Sequence, residues 1–263
     1  MLFYGGQQTR LYLKNGYDLK LTFDAGQFYE TIRYAGRGES ENNYLNKLVR
    51  LQGKIIDFES LMALSPADFD SSIKSINTQL SSLLSDSKGI EEVFAESQKK
   101  DIEKSINGLI LIYNSKQQLL VLNGKESPKF KGYENFSGGS VSLDDLKGRY
   151  VYIDLWATWC APCRAEIPFL KEVESLYHDK NIVFVSISTD RQKDYEKWRK
   201  MVTEGKLSGI QLWAREDKTF TDAYMVAGIP RFILIDPKGY VISPDAPRPS
   251  EKKLIDLLDS LHI

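Results

Sequence analysis

The chain has 263 residues, 42% of them hydrophobic and 27% charged, with a formal net charge of −1. That length accommodates two domains, and the composition is that of an ordinary globular protein. The near-zero net charge gives no electrostatic footprint for nucleic acid or an anionic membrane surface. Apolar runs such as GLILIY, from Gly108, are far too short to span a bilayer.

The first ten residues, MLFYGGQQTR, carry no basic stretch followed by an apolar one, so no secretory signal is legible. The sequence opens directly in strand-like residues, as an internal start would. Residues 1–38 read as β-structure. TRLYLKNGYDLKLTFDAG alternates apolar and polar residues on both sides of Asn15-Gly16, which predicts a hairpin turning there. ETIRYAGRG adds a further strand.

From about residue 40 to 122 the period becomes helical. Leu48, Leu51, Ile55, Phe58 and Met62 lie on one helical face. Ser65-Pro66 reads as an N-cap followed by proline at the first helical position, with Asp68 completing the cap. Phe69, Ile73, Ile76, Leu80 and Leu83 continue a stripe that SDSKG ends. A third helix carries Ile102, Ile106, Leu109 and Tyr113 on one side. These stripes are read as intrachain packing, and no phosphate, metal or catalytic pattern occurs among them.

The segment from Asn123 to Ser140 is rich in Gly, Ser, Lys and Pro and marks a boundary. The expected domains are therefore 1–125 and 126–263. Beyond the boundary, strands and helices alternate: RYVYIDLWA, then a helix from APCRAE; NIVFVSIST, then a helix to Gly205; IQLWA, then a short helix. RFILIDPKGYVI is a hairpin turning at Pro237-Lys238-Gly239, and SEKKLIDLLDSL is a final amphipathic helix. This order predicts an α/β fold whose central sheet has parallel crossovers and an antiparallel edge.

The only two cysteines, Cys160 and Cys163, stand three residues apart. Two cysteines cannot build a disulfide framework, so the spacing reads as half a zinc site, a redox pair or two inert thiols. The two histidines, His178 and His262, form no paired ligand pattern. Cys160 falls where a helix begins, and exposed N–H groups and the helix dipole favour a thiolate there. An ordinary cysteine, with a pKa of about 8.5, would be brought to about 7 or below. Cys160 is then the attacking nucleophile, and Cys163, one turn on, resolves the mixed disulfide. Ala161 and Pro162 between them stiffen the turn. Trp156 reads as core and Trp159 as a partly exposed rim.

Here the chain resembles the thioredoxin superfamily. VYIDLWATWCAPC looks like that family's strand and active site, and RAEIP after it is similar to the W-C-x-P-C-[KR]-x-E-x-P pattern of the TlpA/ResA branch of thiol–disulfide oxidoreductases. GIPRFILID, with Pro230 lying 67 positions beyond Cys163, resembles the cis-proline loop. The resemblance implies a thioredoxin fold over about residues 130–263, and a strand–helix insertion accounts for the long gap. It implies that Ile229 presents backbone groups to an extended substrate beside Pro230. It makes Asp154 the buried acid that accepts the Cys163 proton, against the plainer reading of a strand-end Asp hydrogen-bonded to backbone. It makes Glu166 a group that tunes the cysteine pair or meets substrate, against a solvated first-turn acid. Pro168 should kink the helix. Arg231 departs from the pattern: it either lies by the substrate groove and favours acidic partners, or is a solvated strand-edge charge.

The function expected is reduction of protein disulfides in the periplasm or cell envelope, with the Cys160–Cys163 pair as the redox group and no further cofactor or metal. The resemblance implies a membrane reductase of the DsbD/CcdA type as electron donor, disulfide-bearing client proteins, and a lipid-anchored setting common in that branch. Apocytochrome, an envelope enzyme or a scavenging role all fit as client, and the oligomeric state is not legible. The rivals are an oxidant or isomerase of the DsbA/PDI type, whose motifs often carry a histidine where this one has Ala-Pro, and a binding module with a dormant pair. Peroxidase chemistry would need a separate peroxidatic thiol.

Overall fold

The computed structural model describes residues 2–261 and 263; Met1 and His262 lie outside the described residues. The chain divides into two units, residues 1–116 and 117–263.

In the first unit, β1 (Leu2–Tyr4) and β2 (Gln7–Thr9) pair antiparallel across Gly5 and Gly6. β3 (Asp18–Thr22) is followed by the short α1 (Phe28–Thr31) and by β4 (Arg33–Arg37), and β3 pairs with β4. The hairpin predicted at Asn15-Gly16 does not form, although the chain turns there, with the Tyr17 N–H donating to the Lys14 carbonyl. The residues before that turn find another partner. The Asn42 side-chain amide accepts the Tyr12 N–H at 2.9 Å and donates to the Tyr12 carbonyl at 2.9 Å. A side chain thus satisfies the backbone that a hairpin ladder would have used. β3 turns to β4 instead, where Gly36 lets the strands close: a Cβ there would meet the Asp18 carbonyl oxygen at 2.2 Å.

Four helices follow, α2 (Glu39–Ile55), α3 (Phe58–Met62), α4 (Pro66–Ser85) and α5 (Glu92–Leu120), the last four residues of α5 belonging to the second unit. Leu48 and Met62 are buried, but Phe58 is half exposed. The single stripe expected through these residues is split, because α2 stops at Ile55 and Asp57 caps a new helix by accepting the Ser60 N–H. Ser65 caps α4 by accepting from the Asp68 N–H, with Pro66 in the first turn. The stripe on α4 runs Phe69, Ile73, Ile76, Leu80 and then Leu84, with Leu83 at its margin. Phe69 stacks on Tyr113 of α5 at 3.7 Å between ring centroids, beside Ile102 and Ile106.

The second unit is built on a seven-stranded sheet. Its elements are β5 (Tyr133–Asn135), β6 (Ser140–Val141), β7 (Tyr150–Trp156), α6 (Ala161–Leu176), β8 (Ile182–Ser188), α7 (Tyr195–Gly205), β9 (Ile210–Trp213), α8 (Thr219–Ala223), β10 (Arg231–Ile235), β11 (Val241–Ser243) and α9 (Lys252–Ser260). The strand order is β11-β10-β7-β8-β9-β5-β6. β7, β8 and β9 run parallel, joined through α6 and α7; the other pairings are antiparallel. β5 and β6 lie in the stretch that reads as a boundary. They are too short and glycine-rich to show alternation; β5 is defined by pairing with β9 and β6 by pairing with β5.

β7 is buried on both faces, as a central strand flanked by helices must be. Val151, Ile153 and Leu155 pack with Phe130, Tyr133, Phe220 and Tyr224. Tyr152 faces the opposite way, with Leu170 and Val173 of α6 and Leu254 and Leu258 of α9. Trp156 joins Trp198, Trp213 and both cysteines. Among the described residues no helix is long and apolar enough to cross a membrane.

Ile153 is fully buried at the centre of the sheet. Ile153→Ala is expected to destabilise this unit by about 2–5 kcal/mol, measured as a shift of the denaturant midpoint with disulfide formation retained.

Candidate active site

The last residue of β7 is Trp156, and α6 begins at Ala161. Between them lies a turn closed by the Cys160 N–H donating to the Ala157 carbonyl at 3.1 Å. Cys160 is the N-cap of α6. Its sulfur accepts the Cys163 backbone N–H at 3.2 Å, the place a Ser or Asp oxygen takes at other helix starts. Cys160 and Cys163 are joined by a disulfide with Cα atoms 5.3 Å apart. The sulfurs are therefore bound to each other, as one member of a dithiol–disulfide couple. Ala161 and Pro162 occupy the exposed first turn, while both cysteines are largely covered.

The cover comes from two sides. The Ile229–Pro230 peptide bond is cis, and the Ile229 carbonyl oxygen lies 3.7 Å from the Cys160 sulfur. Trp159 is 62% exposed and stands at the mouth of a groove of about 720 Å³ that also includes Arg191, Glu216, Gly228 and Ile229. That volume suits a peptide segment. One wall is strained: Glu216, with φ of 63°, and Arg215 before it, with φ of 53°, sit in a region costly for residues with a Cβ. Tertiary contacts hold them there. Glu216 accepts the Gln192 N–H at 2.9 Å, and Arg215 pairs with Glu134 at 2.9 Å.

Asp154 projects from β7 towards α6 and is buried, with no hydrogen-bond partner on Oδ1. Burial first, then the negative charges of Glu166 and Glu174, pushes its carboxyl up to about 8. The alternative of a strand-end Asp satisfied by backbone does not describe that oxygen. Glu166 is buried too. Its carboxylate accepts the Ser250 N–H at 3.0 Å and the Ser250 hydroxyl at 3.0 Å, tying α6 to the approach to α9. It is a bound group rather than a solvated first-turn acid. Pro168 lies inside α6. Arg231 opens β10 and forms an ion pair with Asp245 at 2.8 Å; it is not among the groove-lining residues and is not a free strand-edge charge. The structure thus brings Cys160, Cys163, Trp159, Ile229 and Pro230 together at one mouth. Asp154 and Glu166 lie beneath, and Arg231 is turned to its own partner.

Sequence reasoning missed Asp190, which is fully buried. Its carboxylate accepts the Thr158 N–H at 2.9 Å, the Thr158 hydroxyl at 2.9 Å and the Ser188 hydroxyl at 2.8 Å. Its own carbonyl accepts the Trp213 indole N–H at 3.1 Å. Thr158 is two residues before Cys160, so this carboxylate anchors the turn that presents the sulfur. A signal existed. β7 and β8 run parallel with Trp156 opposite Ser188, and the residues two further on, Thr158 and Asp190, meet just beyond the carboxyl ends of the strands. That is where open α/β sheets place their sites.

A thioredoxin-like sheet, a disulfide at the N-cap of the helix after its central strand, and a cis-proline loop against the sulfur define a thiol–disulfide oxidoreductase of thioredoxin type. The Redoxin family matches residues 122–256, and the chain belongs to that family. It is similar to the thioredoxin-like protein YneN of Bacillus subtilis (strain 168), 29% identical over 145 residues, covering 55% of this chain and 84% of that one. It is 31% identical over 121 residues to the thiol–disulfide oxidoreductase ResA of Bacillus thuringiensis (strain Al Hakam), covering 45% of this chain and 66% of that one, just under two thirds. Among solved structures, the thioredoxin domain of a thiol–disulfide oxidoreductase from Bacteroides vulgatus is 30% identical, with a TM-score of 0.48, over 53% of this chain and 96% of that one.

Two outcomes follow from these contacts. The folded Asp154 carboxyl titrates at about 8, well above its ordinary 3.8. Between those values the folded protein holds a proton that the unfolded chain has released, so this group's contribution to stability falls as pH rises through the window. Asp154→Asn should therefore flatten the loss of stability between pH 5 and pH 8 in denaturant titrations, and the variant should be the more stable one at pH 8. Asp190→Asn leaves a donor of the clamp without an acceptor and should cost about 1–3 kcal/mol, read in the same titrations at pH 7.

Proposed function

We propose that residues 117–263 reduce protein disulfides in the cell envelope. The Cys160 thiolate attacks a client disulfide and forms a mixed disulfide, and Cys163 then attacks the Cys160 sulfur, releasing the client as a dithiol. The observation that carries this reading is the position of the Cys160 sulfur. As the N-cap acceptor of α6 it receives the Cys163 N–H and the positive end of the helix dipole, both of which favour the anion. Asp154 is buried against α6, and its carboxyl, pushed up to about 8, binds a proton in the range of a cysteine thiol, which supports a role for its carboxylate form as proton acceptor for Cys163. Trp159 and Ile229 line the groove; this reading assigns them, with the neighbouring Ala161, Pro162 and Pro230, to the client-contacting rim, and Glu166 holds α6 to Ser250.

The similarity to ResA, a protein named as a thiol–disulfide oxidoreductase, supports the activity, and the envelope is the setting this reading assigns. Continuous turnover needs an electron donor, and a DsbD/CcdA-type membrane reductase is the partner this reading assigns. Ala161-Pro162 inside the pair offers no side chain that would strongly favour the reduced form over the disulfide, which supports the reductant over an oxidant of the DsbA/PDI type.

Two measurements test this. The reduction potential is expected below about −220 mV; a value near −120 mV would identify an oxidant instead. Cys163→Ala should accumulate a dithiothreitol-sensitive adduct on Cys160, identifiable by mass spectrometry, and Cys160→Ser should not. If a Cys160→Ser/Cys163→Ser double variant kept full biological activity, the site would be a binding surface and the redox reading would be wrong.

A further inference from the structure

Three buried polar side chains lie in register beneath α6. β7 pairs Asp154 with Ser186 of β8, and β8 pairs Ser186 with Gln211 of β9. The three form one row across adjacent strands, in an interior otherwise apolar on that face. They line a single small cavity with Trp156, Glu174 and Ser208, with room for about one water molecule. Three polar atoms on this lining have no hydrogen-bond partner: Asp154 Oδ1, Gln211 Oε1 and the Trp156 indole N–H. Buried polar groups are ordinarily paired, so three orphans around one cavity point to a polar path.

The row continues to the surface. The Gln211 amide donates to the Ser208 carbonyl at 2.6 Å, and the Ser208 hydroxyl donates to the Glu174 carboxylate. Glu174 is only partly buried, so it stands between the cavity and solvent. Its carboxyl is raised by burial. The other charged groups facing the path come from α6: Glu166, held by Ser250, and Lys171, which donates to the Gly205 carbonyl. β8 and β9 contribute only neutral Ser186 and Gln211, and β10 places Phe232 opposite Asp154.

We propose that Glu174 is the outer station through which Asp154 exchanges its proton with solvent, by way of this cavity. The inference rests on the reading of Asp154 as the Cys163 base. During client reduction the Cys160 thiolate forms a bond to one client sulfur, and the other client sulfur leaves as a thiolate that takes up a proton. Cys163 S–H gives its proton to Asp154 in the fraction of molecules where that group is carboxylate, which is populated because it titrates at about 8. The Cys163 thiolate then bonds to the Cys160 sulfur, breaking the mixed disulfide and releasing the second client thiolate. Two electrons have passed to the client, and Asp154 is left as a buried acid. Its proton passes along the cavity to the Glu174 carboxylate and from there to water, returning Asp154 to the carboxylate form before the next turnover.

The test is reduction of insulin by the full chain with dithiothreitol as reductant, at pH 7.5 in weak buffer, with and without added imidazole as a mobile proton carrier. Glu174→Gln is expected to slow turnover about tenfold in weak buffer, within the range of general acid–base effects, and imidazole should restore most of the loss. Ser208→Ala, which removes the hydroxyl contact while keeping the acid, should show a smaller loss with the same rescue, and it covers the case in which Glu174→Gln folds poorly. Asp154→Asn should be slow in both buffers. If Glu174→Gln turns over like the parent, or is slowed equally with and without imidazole, the relay is overturned while Asp154 keeps its role. If Asp154→Asn turns over like the parent, the base assignment fails and the relay with it.

Discussion

A single contact organises the second unit: the Cys160 sulfur accepting the Cys163 N–H at the start of α6. A helix start leaves four N–H groups without intrahelical acceptors, and most helices offer them an oxygen. Here a sulfur takes that place, so the capping requirement of the helix and the ionisation that the proposed reaction asks of Cys160 fall on the same atom. The sheet exists, in functional terms, to deliver β7 to that point. β7 has parallel β8 on one side and antiparallel β10 on the other. This brings the end of β7, the end of β8 and the start of β10 to one edge. The cysteine turn, the Asp190 clamp and the Ile229–Pro230 loop therefore converge without any long excursion of the chain.

The polar groups beneath this edge serve opposite ends. Asp190 is fully engaged, and its three donors lock the turn before Cys160. Asp154 is under-satisfied, and its burial keeps its proton affinity close to that of a cysteine thiol. A buried carboxylate with a complete set of donors stabilises a shape; one lacking a donor is an open demand for a proton. Asp154 lies in β7 and Asp190 two residues past the end of the adjacent β8, so the environment and not the residue type separates their roles. The strain at Arg215 and Glu216 belongs to the same region, and Gln192 and Glu134 hold it there by specific bonds.

Most of the second unit was legible along the chain because its elements are long enough to show a period. The strands at residues 150–156 and 182–188, the helices after them, the hairpin at Pro237–Gly239 and the last helix all stand where patterning puts them. Asn123 to Ser140 was not legible as structure: β5 and β6 total five residues, and their identity comes from the pairing of β5 with β9 and of β6 with β5. The first hairpin failed for a related reason. Asn15-Gly16 does turn the chain, but turn chemistry cannot tell which strand will accept the ladder, and Asn42 had already taken the backbone of Tyr12. Phe58 shows that an apolar spacing can bridge two separate helices with different caps.

What the sequence by itself determined is local: two thiols one helical turn apart, a strand ending before them, a proline pair of cues, and the Ser65 cap, all set by residues within a few positions of each other. The meeting of groups distant in sequence was decided only by tertiary structure. Asp190 reaches Thr158 across 32 positions, Glu166 reaches Ser250 across 84, and Asp154, Ser186 and Gln211 share a row only because β7, β8 and β9 lie in one register. The physical reason is that side-chain period encodes which face is buried. Which polar atoms meet inside that face, and which are left wanting a proton, depends on strand pairing that no window along the chain contains.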